Sequence, residues 1–288
     1  MPELPEVETV RLQLLFKVAG KTISRVEVHN PKSTGSDKNF AKKLIGQTID
    51  HIDRIGKLLI FSFQGEEDFY MLAHLKMTGQ FFFVDKVGGV AGGGHSLSKN
   101  DTKNLPNSHT RVSLYFNGDT SLHFNDMRKF GYLKLADQSQ MEIAKSRFGQ
   151  EPIADRFDLE NFLSGLGRRK TSIKAKLLDQ TFIAGLGNIY VDETLWKAGV
   201  LPTRLTNTIT KPEAKDIAKH AKTILNKAIS VGGTTFQHFA DTNGNIGNYT
   251  NHLKVFGKQN TPCPRCGTTI QKTRVAGRGT HFCPQCQR

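Results

Sequence analysis

Four cysteines close the chain as two Cys-x-x-Cys pairs, Cys263 with Cys266 and Cys283 with Cys286, separated by sixteen residues. Each pair spans a turn tight enough for two thiolates to converge on one metal, and the gap suits a two-hairpin ribbon around a tetrahedral zinc ion. Two disulfides are the competing reading; they need an oxidising compartment, and no targeting signal points to one. Four thiolates leave no open coordination position, so a single Zn2+ here is expected to hold structure and do no chemistry. Between the pairs, Arg278 lies between Gly277 and Gly279, where a guanidinium can approach a phosphate closely.

The other end of the chain reads Met1-Pro2-Glu3-Leu4-Pro5-Glu6. A small second residue normally permits removal of the initiator methionine, which exposes Pro2 as a secondary amine. An α-amino group titrates near pH ~8 against ~10.4 for lysine, so a useful fraction is nucleophilic at neutral pH. Such an amine can attack a sugar C1′ and form a Schiff base. Glu3 beside it could shuttle protons, and Glu6 lies one helical turn further on. An ordinary helix entrance accounts for the same three residues.

A third pattern is Gly185-Leu186-Gly187-Asn188. The glycines admit close backbone approach, and a helix starting there, with Asn188 as its cap, presents free N–H groups to an anion such as a DNA phosphate. The nearby cluster Arg168, Arg169, Lys170, Lys174 and Lys176 contains no acid. It reads either as a phosphate-neutralising patch or as a solvated helix face.

Elements must hold these groups in place. The 288 residues carry 40 Lys and Arg against 26 Asp and Glu, a net charge of +14, and that excess favours a polyanionic partner, nucleic acid first. From Thr242 to Arg288 there are seven basic residues and no acid, so the C-terminal sixth is a basic module. No run of about eighteen apolar residues occurs, and Glu3, Glu6 and Glu8 stand where a secretion signal would be basic, so a soluble intracellular protein is expected. Residues 2–20 predict a helix with Pro5 in its first turn and Val7, Val10 and Leu14 at helical spacing. Residues 22–29, 48–63, 69–84, 111–116 and 121–135 predict strands. The glycine-bearing stretch 85–108 predicts a long mobile loop. From about residue 137 helices take over: 172–179, 189–197, and one from Thr210, where Thr210 and Glu213 form a capping box and Gly232-Gly233 end the run.

Five signatures, in order and over essentially the whole chain, resemble the bacterial formamidopyrimidine-DNA glycosylases. They are Pro2-Glu3-Leu4-Pro5-Glu6-Val7-Glu8-Thr9, His74-Leu75-Lys76-Met77-Thr78-Gly79, Asp126-Met127-Arg128-Lys129-Phe130-Gly131, Gly185-Leu186-Gly187-Asn188-Ile189-Tyr190, and the four-cysteine ribbon. The resemblance implies an α+β multidomain protein. Its parts would be an N-terminal β-sandwich flanked by helices (1–136), a helix-two-turn-helix domain (137–240), and a lesion-capping loop with a zinc ribbon (241–288), with DNA in the cleft between domains. It implies a monomeric, cytoplasmic repair enzyme acting at the nucleoid. That enzyme excises 8-oxoguanine and ring-opened purines from duplex DNA, then cleaves the abasic strand by β,δ-elimination.

Carried over by position, Pro2 is the imine-forming nucleophile, Glu3 the proton donor and acceptor, and Glu6 their support. Lys57 matches a strand lysine that contacts DNA beside the lesion, although an edge-strand charge is a competing explanation. His74, Lys170, Asn188 and Arg278 match phosphate contacts. Met77, Arg128 and Phe130 match the trio that fills the helix when the damaged nucleotide is flipped out: a flexible apolar chain, a planar donor for the widowed cytosine and an aromatic wedge. Tyr249 belongs to the segment 242–251 that resembles a cover over the flipped base. Arg111 stands where many relatives have a histidine, and Met127 replaces a common Pro or Val. Two alternatives stay open: an endonuclease VIII-like glycosylase for oxidised pyrimidines, and a zinc-ribbon protein that binds damage without cutting.

Overall fold

The computed structural model describes residues 2–86, 90–93 (backbone alone), 104–167, 170–234 and 248–288. The chain divides into two compact units, one of residues 1–146 with 231–248, the other of 147–230 with 249–288. The ribbon therefore shares a unit with the helices.

The first unit opens on helix α1 (Leu4–Val18), which buries Val7, Val10, Leu14 and Val18. Strands β1 (Ile23–Val28), β2 (Ile49–Ile55), β3 (Leu58–Phe63), β4 (Tyr70–His74), β5 (Gly79–Val84), β6 (Val90–Gly93), β7 (Thr110–Phe116), β8 (Thr120–Asp126) and β9 (Tyr132–Ala136) follow, with the short helix α2 (Phe40–Leu44) after β1 and α3 (Gln138–Ser146) after β9. They form a five-stranded sheet in the order β1-β7-β8-β5-β6 and a four-stranded sheet β2-β3-β4-β9. Apolar residues of both sheets meet in one core, with Phe61 of β3 6.1 Å from Phe81 of β5 and Phe81 5.2 Å from Phe124 of β8. This is the expected sandwich, with α1 packed against β2, β3 and β5.

Four expectations for this unit are corrected. Residues 69–84 and 121–135, each expected as one strand, are β4 with β5 and β8 with β9, and in both cases the chain crosses from one sheet to the other between them. Residues 48–63 are a hairpin of two strands, turning at Gly56 with φ +57°; the turn carries no Asn-Gly signal, so the apolar run read as continuous. Within the expected loop 85–108, residues 90–93 extend the sheet as β6 against β5. Backbone hydrogen bonds alone can build such a glycine-bearing edge.

In the second unit, α4 (Leu159–Gly167) and α5 (Ile173–Leu178) precede α6 (Asn188–Ala198) and α7 (Lys211–Ser230). Ser172 caps α5 by accepting the Ala175 N–H at 3.2 Å. The predicted capping box of α7 is present: Thr210 N donates to Glu213 at 2.8 Å, and Glu213 N to Thr210 Oγ1 at 3.4 Å. The α7 stripe of Ile217, Ala221, Leu225 and Ala228 is buried. Strands β10 (Gln271–Val275) and β11 (Arg278–Phe282) form the final hairpin, turning through Ala276 and Gly277 at φ +51° and +72°, the left-handed pair that a two-residue hairpin requires.

Candidate functional site

The start of α1 gathers three buried groups. Pro2 is buried, and Glu3 and Glu6 are only 2% and 6% exposed. Glu3 is the N-cap, and Glu6 Oε2 accepts its backbone N–H at 2.8 Å in a capping box. The other carboxylate oxygen, Oε1, accepts the Thr234 N–H at 2.6 Å. Glu6 thus ties the first turn of α1 to the segment that follows α7. Burying two carboxylates beside one proline is costly unless each is hydrogen-bonded, and the capping box and the Thr234 amide satisfy that condition for Glu6.

The hairpin carrying Lys57 is fixed to the same helix. Arg54 donates from Nε to Glu8 Oε2 and from Nη1 to Gly56 O, at 2.8 and 2.9 Å, and Glu8 is also paired with Arg11. Burial raises the Glu8 carboxyl, but Arg11 and Arg54 outweigh it and hold Glu8 below the usual carboxylate range. Lys57 lies in the β2–β3 turn and is 5% exposed. The strand position and the edge-charge reading are both corrected: an edge lysine would extend into water. Its neighbour Leu58 pairs with His74 across β3 and β4. Burial, reinforced by Lys76 and Lys57, pushes His74 down to about 3. His74 Nδ1 accepts the Lys76 N–H at 3.0 Å, so the neutral ring carries its proton on Nε2, where it can be donated to an anionic oxygen.

Met77, Arg128 and Phe130 come from two separate turns and meet. Arg128 Nη1 lies 2.9 Å from Met77 Sδ, and its guanidinium carbon 4.9 Å from the Phe130 ring centroid. Phe130 is 55% exposed, which a core role would not allow. Both turns contain a left-handed non-glycine residue, Lys76 at φ +52° and Lys129 at φ +60°, a strained arrangement that neighbouring structure must enforce. Asp126, fully buried, supplies that enforcement: its carboxylate accepts from Thr78 Oγ1, from Arg128 N at 3.2 Å and from Gly131 N at 2.6 Å. A Cβ on Gly131 would fall 2.7 Å from the Phe124 ring, so only glycine closes this turn. Arg111 is buried and donates to Asp126 O at 2.8 Å and Ser108 O at 3.1 Å, bracing the same turn.

In the second unit, Asn188 and Arg278 are brought together through Gly279. Asn188 Nδ2 donates to Gly279 O at 2.9 Å, and Arg278, exposed, is the preceding residue of β11. Asn188 is the first residue of α6 and Gly187 its N-cap, a one-residue correction to the expected cap. Lys174 also donates to Gly279 O, at 3.2 Å, and to Asp192 Oδ1 at 2.6 Å; both members of this ion pair are fully buried. The phosphate-patch reading is corrected for Lys174, which has no route to a polyanion. Lys170 is exposed; Arg168 and Arg169 lie outside the described residues. Asp192 Oδ2 accepts the His281 N–H at 2.8 Å, and Glu193 accepts the backbone N–H groups of Lys254, Val255 and Phe256. Tyr249 is buried with its ring 5.6 Å from those of Tyr190 and His252; residues 242–247 of the expected cover lie outside the described residues.

The four cysteine Sγ atoms lie within 4.8 Å of one another, with Cys266 and Cys283 at 3.5 Å and Cys263 and Cys286 at 3.9 Å. All four thiols are free. A tetrahedron of Zn–S bonds of about 2.3 Å spaces its sulfurs about 3.8 Å apart, so the donor set fits one zinc ion and the disulfide reading fails.

Three family profiles match in sequence: the formamidopyrimidine-DNA glycosylase N-terminal domain over residues 1–133, its H2TH domain over 148–240, and the zinc finger found in FPG and IleRS over 261–288. The formamidopyrimidine-DNA glycosylase of Listeria monocytogenes is 39% identical over the full length of both chains, and that of Exiguobacterium 40% identical over all of this chain and 99% of its own. The chain belongs to the formamidopyrimidine-DNA glycosylase family. In structure it resembles the Lactococcus lactis Fpg solved with abasic-site DNA, at TM-score 0.87, 37% identity and 99% coverage of both chains. The same Lactococcus protein solved with Fapy-dG DNA superposes at TM-score 0.86. Membership makes this protein a DNA glycosylase of base excision repair with abasic-site lyase activity, carrying one structural zinc held by Cys263, Cys266, Cys283 and Cys286. Its partner is lesion-containing duplex DNA. Among the described residues, no helix is long and apolar enough to cross a membrane.

Sequence reasoning missed Arg54, Asp126, Lys174, Asp192 and Glu193 as the residues that hold the site together. For the last two a signal existed: adjacent acids following the apolar run Ile189-Tyr190-Val191 and preceding Leu195-Trp196 in one helix need internal partners.

Proposed function

We propose that the protein excises 8-oxoguanine and formamidopyrimidine lesions through Pro2 and then cleaves the abasic strand by β,δ-elimination. With the initiator methionine removed, the Pro2 nitrogen attacks C1′; the C1′–N bond to the damaged base breaks as the C1′–N bond to proline forms. Glu3 passes a proton to the ring oxygen as the sugar opens to the iminium and assists departure of the base. Glu6 holds Glu3 in place. Lys57, His74, Lys170, Asn188 and Arg278 meet the DNA backbone, which positions the duplex without reading its sequence. Met77, Arg128 and Phe130 occupy the space of the extruded nucleotide, and Arg111 and Tyr249 support these contacts.

The observation that carries this reading is the buried trio at the start of α1, where Glu3 and Glu6 are joined reciprocally beside Pro2. A helix entrance with no chemistry to do would leave its acids in water. The cytoplasm, at the nucleoid, is the proposed place of action, and the monomer the proposed state.

The test compares single-turnover release of 8-oxoguanine and of thymine glycol from matched duplexes. Preferential release of 8-oxoguanine, abolished by Glu3→Gln, supports the proposal. Preferential release of thymine glycol favours the pyrimidine-specific reading, and release of neither favours damage binding without cutting.

A further inference from the structure

The segment after α7 reaches back to the acid pair through one glycine. Gly233 holds φ +81°, a conformation that L side chains rarely adopt. A Cβ built there would lie 2.8 Å from Glu6 Oε1, 3.1 Å from its Cγ and 3.3 Å from its Cδ. The next residue, Thr234, donates its N–H to that same oxygen at 2.6 Å and is 8% exposed. The segment is itself braced, because Asn248 N donates to Val231 O at 3.0 Å and Thr234 pairs with Asn248 in an isolated bridge. The Glu6 carboxylate therefore sits in a two-sided clamp: the Glu3 N–H on one oxygen, the Thr234 N–H on the other, with the bare Cα of Gly233 against its flank.

We infer that Gly233 is a positioning residue for base excision, acting through Glu6 on Glu3. A side chain at 233 meets two obstacles, the positive φ and the carboxylate that occupies its volume, and the only soft member of the contact is the glutamate. An added methyl group would push Glu6 off the Thr234 amide and, through the capping box, disturb Glu3. Misplacement of a catalytic group by about 1 Å costs on the order of a hundredfold in rate. The inference rests on the proposed roles of Glu3 and Glu6.

The experiment is a double-mutant cycle on the full-length, zinc-loaded protein with Gly233→Ala, Glu6→Ala and the double variant. Three quantities are read: single-turnover release of 8-oxoguanine, nicking of a duplex that already contains an abasic site, and the Kd for uncleavable abasic-analogue duplex. Gly233→Ala is expected to slow release by about tenfold or more, with nicking and Kd within about threefold of the parent. In the Glu6→Ala background, where no carboxylate fills the volume, the same substitution is expected to cost at least about fivefold less than in the parent, what remains being the backbone strain at φ +81° common to both backgrounds. Release at the parent rate, loss of release and nicking together, or an equal loss in both backgrounds would overturn the inference. A Glu6→Ala enzyme that releases 8-oxoguanine normally overturns the role proposed for Glu6 as well, which separates the two failures.

Discussion

The carboxylate of Asp126 accepts the N–H of Gly131 at 2.6 Å and thereby closes the turn that presents Arg128 and Phe130. Removing it leaves the Arg128 and Gly131 amides and the Thr78 hydroxyl without their shared acceptor. Hydrogen bonds to a charged group contribute about 1.5–3 kcal/mol each, not additively. Asp126→Ala is expected to lower stability by about 3 kcal/mol in chemical denaturation and to weaken discrimination between lesion-containing and undamaged duplex. Parent-like discrimination would show that the turn holds without Asp126.

The buried pair Lys174–Asp192 predicts an asymmetry. Lys174→Met strands the Asp192 charge in the interior and is expected to cost about 3–5 kcal/mol. The double variant Lys174→Met, Asp192→Leu removes both charges and should recover much of that in denaturant unfolding. Its DNA affinity should stay below the parent's, because Gly279 O loses a donor beside Arg278.

Removing zinc should be visible from Trp196, the single tryptophan of the chain. Its ring packs with Cys263, Val255, Ile270 and Cys283, with the Arg265 guanidinium 4.5 Å from its centroid. Metal binding supplies the folding free energy of such small ribbons. A strong chelator is expected to shift tryptophan emission to the red and abolish tight DNA binding together, both restored by zinc. Unchanged emission after verified zinc loss would contradict the structural role.

These tests also mark where sequence stopped being informative. The four cysteines were legible because metal ligation depends on residue type and short spacing, whereas Pro2 and Glu3 read equally as a helix entrance until the family resemblance gave them chemistry. The α7 capping box was legible for the same reason as the cysteines. Neither reading of the basic cluster, phosphate patch or solvated face, held for Lys174, because its partner is eighteen residues away on another helix and the pair is buried. The Thr234–Glu6 contact spans 228 positions, and nothing local in Gly232-Gly233-Thr234 announces it beyond the end of a helix. The Asn188 cap moved by one residue because the cap is set by the extended backbone of Gly187, which composition does not encode. Lys57 read as a strand residue because Gly56 was the lone turn signal in an apolar run.

Two histidines contribute to the acid side of the stability profile. His74 is pushed down to about 3 and His123 to about 4, in both cases first by burial. His123 is held between Ser113 and Ser121 at 2.8 Å each. In the unfolded chain both titrate near pH ~6.5. The unfolded state therefore binds more protons below that pH, and their contribution, complete above pH ~6.5, is lost as pH falls toward 3–4. Each adds a slope of up to about 1.4 kcal/mol per pH unit. His123→Gln should flatten the fall in unfolding free energy between pH 6.5 and 4, and an unchanged slope would contradict the assignment.

The most direct measurement is borohydride reduction of the enzyme during turnover of an 8-oxoguanine duplex, followed by peptide mapping of the trapped adduct. The account predicts one cross-link, on the nitrogen of Pro2 in a chain lacking Met1, and, in a parallel reaction without borohydride, phosphate on both ends of the gap in the nicked strand. A cross-link at a lysine such as Lys57, or full activity in protein whose Met1 is retained, would contradict it.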